Sequence, residues 1–242
     1  MNEAFSKVSE CCLCDLESKA EEDYIKYVLG ASLMEPDGRE ETNEKGFCRR
    51  HYAMAYNSRL NTQGLGLIME TYLQGVSVGL SRAGFRHIKT LGGGKPGKAR
   101  RNSDKDVYKA MQSFAEVADH VLRGCVICER IVRVMERYVD VTCHLYVTEE
   151  DFRERFRAQK GFCMTHFRML MMLAAKYVKG DMTDFVSDLA EMQTESINRL
   201  LGEVSWFTQK YDYRNRDAPW GDSKDALPRS IMKMAKYMEL DM

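Results

Sequence analysis

One arrangement of cysteine and histidine occurs twice in this chain, and it constrains the fold more than any other feature. Each copy consists of a Cys-x-x-Cys pair, a long spacer and a Gly-Phe-Cys-x-x-His segment. The ligand-type residues are Cys11, Cys14, Cys48 and His51 in the first copy and Cys125, Cys128, Cys163 and His166 in the second. The copies are offset by 114 residues at the first two positions and by 115 at the last two. A repeat of this length predicts a duplicated domain and not a solenoid.

Three cysteines and one histidine are a common ligand set of structural zinc sites. A Cys-x-x-Cys turn brings two thiolates to one ion, and a Cys-x-x-His spacing places both side chains on one face of a helix. The glycine before each Phe-Cys pair allows a sharp entry into that helix. We therefore predict two metal sites, each made of the four residues of one copy. The alternatives are buried reduced cysteines, a redox-active dithiol pair and disulfides.

The length of the spacer is compatible with this pairing. In the first copy, 34 positions separate Cys14 from Cys48. An outgoing helix of about 19 residues would be about 28 Å long, and about 12 extended residues could return up to about 40 Å. The metal would then clamp the base of a helical excursion to the start of the next helix in the same half.

The ligand set favours two zinc ions, because zinc accepts thiolate and imidazole ligands without redox chemistry. Iron–sulfur clusters are the alternative, since they usually take cysteine alone but can accept histidine in its place. Copper(I) is a third option, suggested by four methionines near the second histidine, although core filling is their ordinary role. These methionines are Met164, Met169, Met171 and Met172.

Apolar residues recur at helical spacing, and the alternation typical of β-strands is missing. We predict an all-α, internally duplicated helical bundle, with each half clamped by a three-Cys one-His metal site. The predicted helices span residues 15–33, 48–59, 62–81, 104–122, 149–159, 163–178, 181–207 and 228–238, and a further helix starts at Cys128. Residues 39–45 are expected to form a return segment after the turn signal at residues 35–38.

A run of Gly, Pro, Lys and Arg near the middle of the chain predicts a flexible linker. It separates a first metal-binding helical half, residues 1–91, from a second half with a C-terminal tail, residues 104–242; the linker itself is residues 92–103. The basic residues between 95 and 101 are suited to nucleic-acid phosphates. A solvated linker is the simpler interpretation, because the overall charge is balanced.

The chain has 36 basic and 36 acidic residues, so no overall field favours nucleic acid or an anionic membrane. The first residues do not have the pattern of a signal peptide, and no apolar run reaches 18 residues. We therefore expect a cytoplasmic protein with reduced thiols. We expect the partner to be another protein, which the sequence does not identify. We do not expect binding to nucleic acid or to a membrane.

Two cysteines and part of the tail fall outside the repeat. Cys12 could compete with Cys11 as a ligand, and Cys143 is interpreted as a core thiol instead of a nucleophile. The charged and aromatic tail could line a pocket for an anionic ligand, although a tail packed over the bundle is the ordinary case. The candidate pocket residues are Lys210, Asp212, Tyr213, Arg214 and Trp220.

Three segments carry a resemblance to a known family: Cys125-Val-Ile-Cys128, Gly161-Phe-Cys-Met-Thr-His166, and the tail Lys210-Tyr-Asp-Tyr-Arg-Asn215 with Pro219-Trp220. They resemble an uncharacterised family of bacterial cytosolic proteins, a domain of unknown function, in which Cys-x-x-Cys and Phe-Cys-x-x-His motifs occur on a helical background. The resemblance covers most of the chain. It implies an all-helical metal-binding protein and carries no activity.

Ligation by four protein groups leaves no position for water or substrate on the ion, which argues against metal-dependent hydrolysis. The predicted function is therefore a zinc-binding, non-catalytic structural or interaction module. One alternative is an iron–sulfur protein for electron transfer or redox sensing. The other is an enzyme with a ligand pocket in residues 210–224.

Overall fold

The structure is a computed structural model that describes residues 1–92, 104–178 and 182–236. In these residues all regular structure is helical, as predicted, and none of the helices is long and apolar enough to cross a membrane. The α-helices are α1 (Asn2–Phe5), α2 (Cys12–Val28), α3 (Pro36–Lys45), α4 (Arg49–Ser58), α5 (Thr62–Gly92), α6 (Asp104–Arg123), α7 (Val126–Thr148), α8 (Glu150–Arg157), α9 (Met164–Tyr177), α10 (Met182–Gln209) and α11 (Ala226–Ala235).

Most helices lie where the sequence predicts them, and two differ for physical reasons. The predicted return segment is the helix α3, whose first residue is Pro36. Proline fits that position because the first N–H of a helix has no partner within the helix. Helix α5 continues to Gly92, beyond its predicted end at residue 81. No proline interrupts residues 82–91, so the helix meets no strong stop signal there.

The chain forms two compact units. Unit 1 consists of Met1–Ala20 with Val132–Met242, and unit 2 is Glu21–Ile131. The units therefore do not coincide with the two halves of the sequence repeat. The predicted linker, residues 92–103, lies outside the described residues except for Gly92, and the division at that point stays a prediction.

The core of unit 1 is a cluster of aromatic side chains. Phe5 packs against Phe152 with ring centroids 4.9 Å apart, and Tyr146 meets Phe185 edge-on at 5.0 Å. Phe162 joins the cluster 6.4 Å from Phe5. All five side chains are buried. Since Phe162 directly precedes a predicted ligand, the cluster fixes the backbone from which that ligand projects.

The core of unit 2 forms where α5 packs against α3, α4 and α6. Ile68 and Tyr72 of α5 are buried, as is Phe47, whose ring lies 5.1 Å from that of Tyr52. Phe47 directly precedes Cys48 in the chain, as Phe162 precedes Cys163, and both phenylalanines are buried. In each unit, a phenylalanine in the core anchors the turn that carries a predicted cysteine ligand.

Candidate metal centres

The structure brings the eight ligand-type residues together in two groups of four. Centre 1 consists of Cys11, Cys14, Cys163 and His166, and centre 2 consists of Cys48, His51, Cys125 and Cys128. In each centre the ligand atoms all lie within 4.8 Å of one another. Each group could therefore hold a metal ion. Centre 1 lies in unit 1, and centre 2 lies in unit 2.

The predicted pairing of the ligands is wrong. Each Cys-x-x-Cys pair meets the Cys-x-x-His segment of the other copy, so neither centre is made from one copy alone. Sequence spacing could not reveal this, because two equivalent pairs and two equivalent segments give the same ligand sets in either combination. The composition of three cysteines and one histidine in each centre is confirmed. The clamp between successive helices of one half is not formed.

Both centres are built at the N-terminal ends of helices. Cys11 and Cys125 directly precede α2 and α7, and the second cysteine of each pair lies in the first turn. Cys48 and Cys163 are the N-caps of α4 and α9. The positive end of a helix dipole favours a thiolate. Two such ends therefore stabilise the negative charge of each centre.

A glycine with a positive φ angle precedes each Phe-Cys pair, in agreement with the sharp entry that the sequence predicts. The angle is 59° at Gly46 and 78° at Gly161. A β-carbon at Gly46 would also lie 2.6 Å from the ring of Tyr72. The turn into α4 therefore requires glycine both for its backbone angle and for space.

In centre 1 the Nδ1 atom of His166 faces the sulfur atoms. It lies 3.4 Å from the Sγ atoms of Cys11 and Cys14 and 3.3 Å from that of Cys163. The Sγ atoms of Cys14 and Cys163 are 3.5 Å apart. The imidazole nitrogen and the sulfurs thus converge on one small volume.

Centre 2 has the same inner geometry. Nδ1 of His51 lies 3.2 Å from the Sγ atoms of Cys48 and Cys125 and 3.4 Å from that of Cys128. The Sγ atoms of Cys48 and Cys128 are 3.7 Å apart. The backbone N–H of Cys128 also donates to Sγ of Cys125 at 3.4 Å, which holds the Cys-x-x-Cys turn in shape.

On the far side of each imidazole ring, a buried carboxylate faces Nε2. An oxygen of Glu17 lies 3.3 Å from Nε2 of His166, and an oxygen of Glu21 lies 3.3 Å from Nε2 of His51. A carboxylate in this place accepts the Nε2 proton, so that Nδ1 is left free to bind a metal. It also orients the ring and makes it a stronger ligand.

Each of these carboxylates is held in turn by a basic side chain. Nζ of Lys236 donates to Glu17 at 2.6 Å, and the guanidinium of Arg50 donates to Glu21 at 2.5 Å. Burial alone would raise the pKa of Glu17, but hydrogen bonds with His166 and Lys236 outweigh burial and lower it. In both centres, therefore, the imidazole contacts a carboxylate, and the carboxylate in turn contacts a basic side chain.

The ligand groups strongly change one another's pKa values. Burial lowers the pKa of His51, but contacts with Cys125 and Glu21 outweigh burial and raise it to about 10. Surrounding thiols and a carboxylate likewise raise the pKa of His166 to about 11 against the effect of burial. The hydrogen bond between Cys128 and Cys125 lowers the pKa of Cys125 to about 3 and raises that of Cys128. Without a metal, ionisation of one thiol therefore disfavours ionisation of its neighbour. A bound dication would allow all three thiols of a centre to ionise.

The two centres differ in their exposure to solvent. In centre 1 the most exposed ligand, Cys14, is only 8% exposed. In centre 2 His51 and Cys125 are buried, but Cys48 is half-buried and Cys128 is exposed. The structure describes all eight cysteines of the chain, and Cys128 is the only exposed one. Solvent therefore reaches one edge of centre 2.

Helices α10 and α11 hold the backbone that leads into centre 1. The Gln193 amide accepts from the N–H of Phe162 and donates to its carbonyl, both at 2.9 Å. Nζ of the buried Lys233 donates to the carbonyl of Lys160 at 2.7 Å and to that of Glu10 at 2.6 Å. One ammonium thus links the two segments that carry the ligands of centre 1.

The Glu10 carboxylate adds an ion-pair cluster at the same place. Arg199 contacts it at 2.7 Å and Arg229 at 3.3 Å. Burial alone would raise the pKa of Glu10, but Arg199, Lys233 and Arg229 outweigh burial and lower it. The residue that precedes Cys11 is therefore tied to α10 and α11 by charge as well as by its backbone.

Glu17 and Glu21 were not predicted as part of the centres. Both come from the first half of the chain, and the residues 114 positions on are Ile131 and Met135, so the repeat gives no signal for them. A usable signal exists in the helical spacing. The two glutamates follow Cys14 by three and seven positions, which places them on the face of α2 that carries this ligand.

The two cysteines outside the repeat are both buried. Cys143 is fully buried in the core, as predicted, and burial raises the pKa of its thiol to about 12. Cys12 is 1% exposed and belongs to neither group of four. The structure therefore places Cys11, and not Cys12, in centre 1.

The predicted pocket residues of the tail mainly contact one another and the local backbone. The Lys210 ammonium donates to three carbonyl groups, those of residues 215, 216 and 218, at 2.5 to 2.9 Å. Arg214 pairs with Asp212 at 2.6 Å, and Tyr213 is exposed. Trp220 lines an open cavity of about 440 Å³ beside α10. A ligand pocket made of all five residues stays a prediction.

The fold and the two centres define a class of protein, the all-helical proteins with paired groups of three cysteines and one histidine. Within that class the chain belongs to a family of unknown function, DUF6062, whose model matches residues 1–241. This agrees with the resemblance read from the sequence motifs. No curated protein and no solved structure matches the chain. Family membership carries no activity, because the function of the family is unknown.

Proposed function

We propose that this protein binds one Zn²⁺ ion in each centre and that the two ions fix a non-catalytic helical module. The observation that carries the proposal is the convergence of three sulfurs and one imidazole nitrogen, all within 4.8 Å, in both centres. Thiolate and imidazole are ligands that zinc prefers, and four of them complete its tetrahedral shell.

The distances between ligand atoms support a single ion in each centre over an iron–sulfur cluster. With ordinary zinc bond lengths, a tetrahedral site places two sulfurs about 3.8 Å apart and a sulfur and a nitrogen about 3.6 Å apart. One sulfur–sulfur distance is 3.5 Å in centre 1 and one is 3.7 Å in centre 2, the sulfur–nitrogen distances are 3.2 to 3.4 Å, and the remaining pairs of ligand atoms lie within 4.8 Å. In a cluster the four protein ligands are divided among two or more iron atoms, so the ligands of different irons stand further apart than those of one ion.

The surroundings of the ions support a structural role. Four protein ligands leave no coordination position for water or substrate. Glu17 and Glu21 each hold an imidazole ring and are themselves bound by Lys236 and Arg50. Neither carboxylate is therefore available as a general base. Each zinc ion would contribute about 10 kcal/mol of apparent binding free energy to folding.

We further propose that the module engages another protein in the cytoplasm, and α6 supports this choice. Met111 of this helix is 64% exposed. Tyr108 and Leu122 share its helix face and are 61% and 78% exposed. Exposed apolar strips of this kind are typical of protein interaction surfaces. Native mass spectrometry of the protein isolated from its own cells would show a bound protein that is lost in a Met111→Glu variant.

Elemental analysis tests the metal assignment. Protein purified without oxygen should contain two zinc atoms per chain. X-ray absorption at the zinc edge should give an average of three sulfurs and one nitrogen around each ion, with zinc–sulfur distances of about 2.3 Å. Iron with acid-labile sulfide would overturn the zinc assignment, and metal-free protein would overturn both metal assignments.

A further inference from the structure

The two centres have the same ligand types but differ at one equivalent position. Cys14 and Cys128 are the second cysteines of their Cys-x-x-Cys pairs. Cys14 is 8% exposed, whereas Cys128 is open to solvent, and the half-buried Cys48 lies next to it. The Sγ atoms of Cys48 and Cys128 are 3.7 Å apart. Centre 2 thus presents two neighbouring sulfurs at its accessible edge.

A bound zinc ion would hold these two sulfurs as thiolates, although hydrogen bonding with Cys125 raises the pKa of Cys128 in the absence of metal. Cys48 is the N-cap of α4, and Cys128 lies in the first turn of α7. Both helix dipoles favour negative charge there, and a bound zinc ion does the same. Oxidation of cysteine follows thiolate character and exposure, whereas a buried cysteine is inert. Centre 2 meets both conditions, and centre 1 meets only the first.

We propose that centre 2 is a peroxide-modification site, in which hydrogen peroxide oxidises Cys128, Cys48 completes a disulfide and the zinc ion leaves. The inference rests on the proposed zinc occupancy of this centre. Centre 1 retains its ion under the same treatment, because its thiolates are covered by protein.

The reaction balances in two steps. The Cys128 thiolate attacks one peroxide oxygen, the O–O bond breaks, and the hydroxide that leaves takes a proton from the buffer acid; the product is a sulfenic acid. The Cys48 thiolate then attacks the sulfenic sulfur, an S–S bond forms, and a second hydroxide leaves and is protonated. Two thiolates have supplied two electrons, and the peroxide has become two water molecules. A small dithiol reductant restores both thiolates.

Loss of these two ligands releases the ion. Only Cys125 and His51 remain, and two ligands do not hold zinc in a tetrahedral protein site. The modification therefore removes the zinc contribution to the fold of unit 2, and reduction with zinc present returns it.

The experiment follows zinc release from the full chain loaded with two zinc ions. Hydrogen peroxide is added in the presence of a chromophoric zinc chelator, and oxidised cysteines are located by peptide mass spectrometry. One zinc per chain should leave at least about ten times faster than the other, because reactivity follows exposure. The first oxidised peptides should contain a disulfide between Cys48 and Cys128, and a dithiol should reverse it.

Two matched variants sharpen the result. Cys128→His keeps four zinc ligands, in a two-Cys two-His set, and removes the exposed thiol. This variant should slow the fast phase to the rate of centre 1, whereas Cys14→His should leave the fast phase unchanged. If Cys128→His does not hold its second zinc, the proposal is tested by the first disulfide that forms in the unsubstituted protein, which should join Cys48 and Cys128.

Several results would overturn the inference while zinc binding stands. They are release of both ions at one rate, first oxidation within centre 1, a first disulfide that omits Cys48, or an undiminished fast phase in Cys128→His. Protein that contains no zinc before peroxide is added would instead overturn the proposed function, and this inference with it.

Discussion

The carboxylate of Glu17 lies 3.3 Å from Nε2 of His166, on the side of the ring opposite to the nitrogen that faces the thiols. Glu21 stands in the same relation to His51, also at 3.3 Å. Both glutamates lie on α2, but Glu17 contacts the histidine of centre 1 and Glu21 contacts the histidine of centre 2. Each histidine therefore presents Nδ1 to the thiols of its centre, and a glutamate on the other side of the ring fixes its orientation.

Replacing Glu17 with alanine should weaken zinc binding at centre 1 by about 10- to 100-fold, because the His166 ring loses the partner that orients it. Competition with a chromophoric zinc chelator measures the change. Glu21→Ala is the matched variant and should weaken centre 2 by a similar factor while centre 1 keeps its affinity. Equal affinity in both variants and the unsubstituted protein would show that the carboxylates do not support the ligands.

Gly46→Ala should destabilise the zinc-loaded protein by about 1 to 3 kcal/mol, because only glycine tolerates its backbone conformation readily. Its φ is 59° and its ψ is −153°, and a β-carbon would lie 2.6 Å from the Tyr72 ring. Denaturant unfolding at fixed free zinc measures the loss. In the control Gly75→Ala, a β-carbon in α5 would meet nothing within 4 Å. The free energy of unfolding of that variant should rise by about 0.5 to 1 kcal/mol. If it fell by as much as in Gly46→Ala, the special role of Gly46 would be contradicted.

The ion pairs of Glu10 should stabilise the fold in a pH-dependent way. The pKa of this carboxyl is lowered from 4.5 in the folded state, so the unfolded chain binds more protons between the two values. The stabilisation is present above pH 4.5 and is lost as the pH falls through the lower, folded value. Glu10→Gln should cost about 1 to 3 kcal/mol at neutral pH and progressively less in acid.

Urea unfolding of both proteins at several pH values checks this prediction. The control is Glu3→Gln, because the Glu3 side chain is 88% exposed and its only ion pair in the described residues is with Lys7 at 4.0 Å. This control should match the unsubstituted protein at every pH. If the loss of free energy of unfolding in Glu10→Gln is constant or grows as the pH falls, the charged Glu10 carboxylate is not the source of the stabilisation.

Much of the fold and of the ligand set could be predicted from local sequence signals. Helical periodicity predicts α4 and α6 to within a few residues, and the repeated Cys/His spacing identifies all eight members of the two centres. Gly46 and Gly161 also take the positive φ angles that a sharp entry requires. These features depend on residues close together in the chain, where spacing determines geometry.

The rest depends on contacts between distant segments. Cys14 meets Cys163, 149 residues away, instead of Cys48, because long-range packing decides which half-sites meet. Likewise, Lys236 supports Glu17 across 219 residues. No repeat or periodicity encodes such partners. The exposure of Cys128, from which the difference between the centres follows, is also a property of the assembled structure.

The most direct test of the central claim is the zinc content of two double variants. In the structure Cys14 and His166 share centre 1, whereas His51 belongs to centre 2. Cys14→Ala/His166→Ala should therefore retain one zinc per chain, and Cys14→Ala/His51→Ala should retain none. If each centre were instead made from one copy of the motif, the first variant would lose both ions and the second would keep one. That reversed result would contradict the account.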